Sequence, residues 1–276
     1  EEDVTPLLEP EVATYYMQLI GILRWMCELG RIDICTEVSM LSSYSAMPRE
    51  GHLEATLHVF SYLKSKSNSR LIFDPMEPDV GDSGFVECDW SDFYPGASEA
   101  LPPNAPKPLG KGVTLRMFVD SDHAGDKVSR RSRTGFVIFL NYGMIDWLSK
   151  KQSTVETSVF GAEFCAMKHG IENLRGIRYK LRMMGIPVKG ASYVYGDNMS
   201  VVTNASKPES TLKKKSNSIC YHAVREAVAM GEALVAHIPT KKNLADLFTK
   251  VLYGQTRRFL VNRMLWDVFP GKDAHV

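Results

Sequence analysis

The chain has 276 residues, 44% hydrophobic and 24% charged, enough for one substantial core and a second small one. No stretch approaches the roughly 18 consecutive apolar residues of a membrane span, and the first residues lack the basic start and apolar run of a signal peptide. Five scattered cysteines without a CxxC pair argue against a disulfide framework or a zinc site; no membrane partner and an intracellular, non-secreted protein are expected.

The net charge of +1 hides an asymmetry. Residues 1–110 carry 7 Lys+Arg against 18 Asp+Glu, a net of −11, whereas residues 111–276 carry 26 against 14, a net of +12. The second part is the one suited to meeting a polyanion. In chain order, residues 1–73 read as a small helical module. Val12, Tyr15, Tyr16, Leu19, Leu23 and Met26 recur at helical spacing up to a stop at Gly30, and residues 32–44 and 52–63 give two more helical segments. From Asp74 to residue 112 the density of Pro and Gly predicts a linker, in which Phe85, Trp90, Phe93 and Tyr94 suggest local packing.

Beyond residue 113 the period changes. Val113 to Asp120 alternates as a strand, and Gly135 to Leu140 and Gly143 to Leu148 flank Asn141-Tyr142 as a hairpin. A long helix is predicted from Thr157 to Met184, then a strand at 193–196, helices at 198–205 and 216–230, and a strand at 233–238. A last helix capped by Asn243 would run to Leu252, and residues 256–276 read as a tail. The predicted class is α/β: a mixed five-stranded sheet covered by helices over residues 113–255, preceded by the helical module.

Four acidic residues end elements that are otherwise apolar. Asp120 closes the first strand and Asp197 the fourth, Glu163 interrupts the apolar stripe of the long helix, and Asp246 lies in the first turn of the last helix. Carboxylates are rarely buried without a partner, and a set of hard oxygen donors selects magnesium, or manganese as the alternative. Two such ions could activate water and stabilise a departing oxygen in phosphodiester cleavage. Asp122 and Asp126 compete with Asp120 as the inward ligand; Asp197 could instead be a turn residue and Asp246 an ordinary acid at a helix start.

These residues fall in recognisable blocks: Val119-Asp120-Ser121-Asp122-His123-Ala124-Gly125-Asp126, Arg131-Ser132-Arg133-Thr134-Gly135-Phe136, Trp147-Leu148-Ser149-Lys150-Lys151-Gln152, Ala162-Glu163-Phe164, Tyr195-Gly196-Asp197-Asn198, Tyr221-His222-Ala223-Val224-Arg225-Glu226 and Asn243-Leu244-Ala245-Asp246-Leu247-Phe248-Thr249-Lys250. Through them the chain resembles the C-terminal part of the polyprotein of copia-type retrotransposons, with residues 113–252 similar to its ribonuclease H domain. Leu19-Ile20-Gly21-Ile22-Leu23, Arg31-Ile32-Asp33-Ile34 and His58 to Lys64 resemble the segment joining polymerase to ribonuclease H.

The resemblance implies a ribonuclease H-like fold and endonucleolytic hydrolysis of the RNA strand of an RNA–DNA hybrid. It also implies Asp120, Glu163, Asp197 and Asp246 as ligands of two magnesium ions, the reverse transcriptase polymerase region of the same polyprotein as partner, and a cytoplasmic particle or the nucleus as the place of work. Two departures stand out: Gly161 where the family commonly has an acid, and Pro239-Thr240-Lys241-Lys242 where many ribonucleases H carry a histidine.

A hybrid is read through phosphates and 2′-hydroxyls. Arg131, Arg133, Lys151, Gln152, Lys213, Lys214 and Lys215 are candidates for phosphate and Asn198 and Ser200 for 2′-hydroxyls, although a charge run is often only a solvated face. Competing functions are a catalytically silent nucleic-acid-binding or polymerase-tethering fragment, and a DNA-strand-transfer enzyme of similar fold, which would end its carboxylate series in Glu. DNA polymerisation is disfavoured by the lack of an Asp-Asp dipeptide.

Overall fold

The computed structural model describes residues 3–81, 83–212, 215–266 and 268. Three helices open the chain: α1 (Pro10–Glu28), α2 (Cys35–Leu41) and α3 (Glu50–Ser65). Proline at the start of α1 costs nothing, because that amide has no intrahelical partner. The helical segment expected over 32–44 is shorter: α2 is flanked by 3-10 turns at Ile32–Ile34 and Ser42–Tyr44. Gly30, at φ +114°, ends α1, and the place its side chain would take is filled by Leu71, 2.7 Å from an ideal Cβ. Leu71 belongs to a two-residue strand, β1 (Arg70–Leu71).

The sheet is built from β2 (Leu115–Asp122), β3 (Arg133–Leu140), β4 (Gly143–Lys151), β5 (Ser192–Gly196) and β6 (Ala233–His237), in the order β4-β3-β2-β5-β6. The first three strands are antiparallel, and β5 and β6 add in parallel, giving the mixed five-stranded sheet expected. Connections through α4 (Val159–Met183), and through α5 (Met199–Ser206) and α6 (Ser218–Ala229), allow the parallel pairings.

Alternation along β2 divides the core. Leu115, Met117 and Val119 face α4 and α6 with Phe164, Met167, Ile171, Leu174, Tyr221 and Val224. Phe118 turns the other way, joining Val137, Phe139 and Tyr195 in a second core with Tyr16, Ile20, Leu23, Ile34 and Val38 of the helical module. Trp147 of β4 donates its indole N–H to the Cys27 carbonyl (3.2 Å), tying hairpin to α1.

The segment 74–112 packs where its aromatic residues suggested, with Trp90 buried and Phe85 against Tyr193 and Tyr195, and is anchored further by the Glu99 carboxylate, which receives Arg178 and Arg182 of α4. Near the end of the chain, the helix expected from Asn243 to Leu252 is a five-residue 3-10 turn, Leu244–Phe248, every residue of which is buried. Wedged against β2 and β3, it has no solvent-facing side on which a longer helix could place polar residues. Residues given to a tail instead form α7 (Gly254–Asn262), which buries Leu260 and Val261 and is held by Arg257 to Glu37 of α2, and β7 (Leu265–Trp266), which pairs antiparallel with β1. No helix among the described residues is long and apolar enough to cross a membrane.

Candidate metal centre

The parallel run of β2 and β5 brings Asp120 and Asp197 to the same end of the sheet, where sites gather in sheets of this kind. Asp120 is 1% exposed and sits opposite Gly135 of β3. Asp197 immediately follows β5, before Asn198 caps α5 by accepting the amides of Ser200 and Val201 (3.1 and 3.2 Å). Glu163 arrives from the opposite layer, on α4, whose start is fixed by Ser158 accepting the Gly161 amide (3.2 Å). One carboxylate oxygen from each of Asp120, Glu163 and Asp197 lies within 4.8 Å of the others.

Asp246 comes from the 3-10 turn. Asn243 positions that turn twice, its side-chain oxygen accepting the Ala245 amide (3.1 Å) and its amide nitrogen donating to the Val119 carbonyl beside Asp120 (3.0 Å). The turn approaches β3 at Gly135, where a Cβ would stand 2.6 Å from Thr249 Cγ2 and 3.0 Å from the Phe248 carbonyl carbon. Glycine at that point is what lets the turn bring Asp246 beside Asp120. Thr249 donates its hydroxyl to Asp120 Oδ2, and the Lys250 ammonium stands 3.1 Å from Asp120 Oδ2 and 2.8 Å from Asp246 Oδ1.

So much negative charge in a desolvated place resists ionisation. Burial, reinforced by Asp120 and Asp197, pushes Glu163 up to about 9. Burial and Asp120 push Asp246 up to about 7 against the pull of Lys250, and Asp197 is raised by burial and Asp120 while Thr240 opposes through a hydrogen bond. Lys250 is raised in turn, because Asp120 and Asp246 outweigh the burial of its ammonium. The donor set is all hard oxygen, crowded and short of counter-charge, which fits a divalent cation such as magnesium.

A pH dependence follows. The unfolded chain gives up these protons near the ordinary values of 4.5 for Glu and 3.8 for Asp, whereas the folded protein keeps them to about 9 on Glu163 and about 7 on Asp246. The folded state therefore binds more protons across that window, so its stability is present at pH 4 to 5 and is lost as pH rises towards 9. Each pH unit costs about 1.4 kcal/mol for one fully retained proton. In a chelator, the melting temperature followed by scanning fluorimetry should fall from pH 5 to pH 9, and magnesium should restore it at pH 8. A flat or rising profile would mean that the carboxylates do not crowd one another.

The neighbouring acids are engaged elsewhere. Asp122 accepts the Gly125 and Arg133 amides (both 3.2 Å), and burial raises it. Asp126 is partly desolvated, yet Lys151 and Ser129 hold it at about 2. The geometry thus puts Asp120, and neither Asp122 nor Asp126, in the cluster. At Gly161, the atoms nearest an added Cβ belong to Asn217 and Glu156, so an acid there would meet those side chains first.

The residues considered for nucleic acid separate by burial. Arg131, Ser200 and Lys215 are exposed, and Asn198 is half-buried as the α5 cap. Lys151 is committed to Asp126. Arg133 is buried and donates to Ser39 of α2, and Gln152 is buried with its amide nitrogen on Thr134 Oγ1 and the Ala162 carbonyl (both 3.0 Å). Both brace the β3–β4 edge from inside. Lys213 and Lys214 lie outside the described residues.

Sequence reasoning missed Thr240, Thr249 and Lys250. The only available signal was the i,i+4 spacing of Asp246 and Lys250, which pairs opposite charges on a helical turn.

No family model matches the chain. It is 27% identical over 248 residues, 90% of its length, to the retrovirus-related Pol polyprotein from transposon RE1 of Arabidopsis thaliana. It is also 27% identical over 237 residues, 86% of its length, to that from transposon TNT 1-94 of Nicotiana tabacum. Both of these relatives are retrovirus-related Pol polyproteins of plant transposons. The chain spans about a seventh of their length, 14% and 15% respectively. Among solved structures it is similar to LC11-RNase H1, isolated from compost by a metagenomic approach, at 20% identity and a TM-score of 0.39, covering 49% of this chain and 92% of that one.

Proposed function

We propose that the chain is a ribonuclease H of a transposon polyprotein, hydrolysing the RNA strand of RNA–DNA hybrids during reverse transcription. The observation that carries this reading is the convergence of Asp120, Glu163 and Asp197 at one end of the sheet, with Asp246 joined to Asp120 through Lys250. The Pol polyprotein relatives support it from sequence. Residues 113–255 hold the reaction, residues 1–73 brace the sheet from behind, and the stretch 74–112 links the two.

Two magnesium ions, bound by these four carboxylates, would supply charge neutralisation and Lewis acidity for in-line cleavage. The chain's own groups hold the donors ready: Thr249 fixes Asp120, Thr240 binds Asp197, and the Ser121 amide bonds to Glu163. Because Glu163 and Asp246 stay protonated up to about 9 and 7 without a counter-cation, loading releases protons, and metal affinity rises with pH. Exposed Arg131 and Lys215 would take phosphates, and Asn198 and Ser200 would meet a 2′-hydroxyl. The partner we assign is the polymerase region of the same polyprotein, acting in a cytoplasmic particle or the nucleus.

The test is cleavage of an end-labelled RNA annealed to DNA. Internal RNA fragments should appear with magnesium or manganese and stop with chelator, while hybrid binding persists. Binding without cleavage under either metal would replace this reading with the polymerase-tethering one.

A further inference from the structure

The cluster has two unlike halves. Asp120, Glu163 and Asp197 present a three-oxygen group within 4.8 Å, and Asp246 is not a member of it. Asp246 pairs with Asp120 alone, their carboxyl groups in direct hydrogen-bonding reach, and Lys250 bridges the pair, its ammonium contacting Asp246 Oδ1 at 2.8 Å and Asp120 Oδ2 at 3.1 Å. The same Asp120 oxygen also receives the Thr249 hydroxyl. Lys250 is held in place by its own backbone, its amide bonding to the Asp246 carbonyl at 3.1 Å, so ammonium and carboxylate leave the same turn side by side.

We propose that Lys250 is a built-in cation occupying the Asp120–Asp246 half of the centre, so that the free chain takes up a single divalent ion, through Asp120, Glu163 and Asp197. This rests on the metal-centre reading above and adds the ion count and the residue that sets it. Charge balance points the same way. Four ionised carboxylates and one ammonium carry a formal −3; one divalent ion brings this to −1, and a second would make it +1. An excess of positive charge in a desolvated site is unfavourable until an anion enters or the ammonium leaves. The phosphates of a bound hybrid are such an anion. Lys250 is thus a positioning residue whose displacement accompanies full loading.

The experiment is manganese titration of the full chain without nucleic acid, read by calorimetry and by the electron paramagnetic resonance signal of free manganese. The native chain and Lys250→Arg should each take one ion. Lys250→Met should take two, or bind its first ion at least tenfold tighter. The double variant Asp246→Asn/Lys250→Met, which removes both partners and so guards against misfolding from an unpaired acid, should return to one. Equal stoichiometry and affinity in native and Lys250→Met would overturn this proposal alone, as would two ions in the native chain. A native chain that takes up no ion would overturn the metal-centre reading, and this proposal with it.

Discussion

Glu163→Gln is expected to lower the rate of hybrid cleavage by roughly three powers of ten, about 4 kcal/mol of transition-state stabilisation, and at the same time to raise the melting temperature of the metal-free protein at pH 8. The two effects have one cause. Glu163 is 7% exposed and held beside Asp120 and Asp197, so at pH 8 the folded protein must keep on it a proton that the unfolded chain has already released, a cost that unfolding removes. An amide keeps the shape and removes the charge, and a divalent cation loses a donor it needs. Asp197→Asn should act in the same direction with a smaller gain in stability, because Asp197 is more open to solvent. Cleavage measured with magnesium and melting measured in chelator would separate the two, and hybrid binding should be unchanged in both variants. If Glu163→Gln cut at the native rate, or melted lower in chelator, the carboxylate cluster would not be the seat of the reaction.

Arg225→Leu carries the largest expected loss of stability. This arginine on α6 is 2% exposed and has no carboxylate partner among the described residues; its guanidinium donates to the carbonyls of Asn204 (2.8 Å), Lys207 (2.9 Å) and Pro208 (2.6 Å) and to Ser210 Oγ (2.6 Å). It also lies 4.8 Å from the ring centres of Trp90 and Tyr221. One side chain therefore closes the loop after α5 and receives the buried tryptophan of the 74–112 stretch. Leucine would fill part of the volume and leave several acceptors without donors, each costing about 1–3 kcal/mol before relaxation. A net loss of about 3 kcal/mol is expected, lowering the melting temperature by roughly 6–12 °C in a chain of this size. The carboxylates would be untouched, so cleavage below the new midpoint should stay near native. A shift of less than 2 °C, roughly, would mean that the loop finds its partners elsewhere.

The parts of this molecule that could be read from sequence are those where charge breaks a regular apolar pattern. Glu163 stood out because Phe160, Phe164 and Met167 surround it on one stripe, and the alternation of β2 ran straight to Asp120. Lys250 gave no such signal, since a lysine at the end of a helical segment is ordinarily a solvated cation; its role depends on Asp120, distant in sequence. Gln152 and Arg133 were considered for nucleic acid because composition records polarity and not depth, and their acceptors, the Ala162 carbonyl and the Ser39 hydroxyl, lie in other elements. The 3-10 turn at Leu244–Phe248 was read as an α-helix because its capping residue is genuine; what shortens it is the sheet pressing on all of its residues. α7 escaped because its burial rests on Leu260 and Val261 alone, too few for a visible period.

The pairing of β1 with β7, with Leu71 set into the gap at Gly30, brings the stretch leaving the helical module back beside the strand that follows α7. In mechanical terms the polypeptide is a loop with a clasp. A protease nick in the exposed stretch 103–111 would break one peptide bond without parting the pieces, because Tyr16, Ile20, Leu23, Leu260, Val261 and Leu265 share one core across the cut. The two fragments would copurify and melt together, and the carboxylates, all on the longer fragment, would keep the bracing of the shorter one.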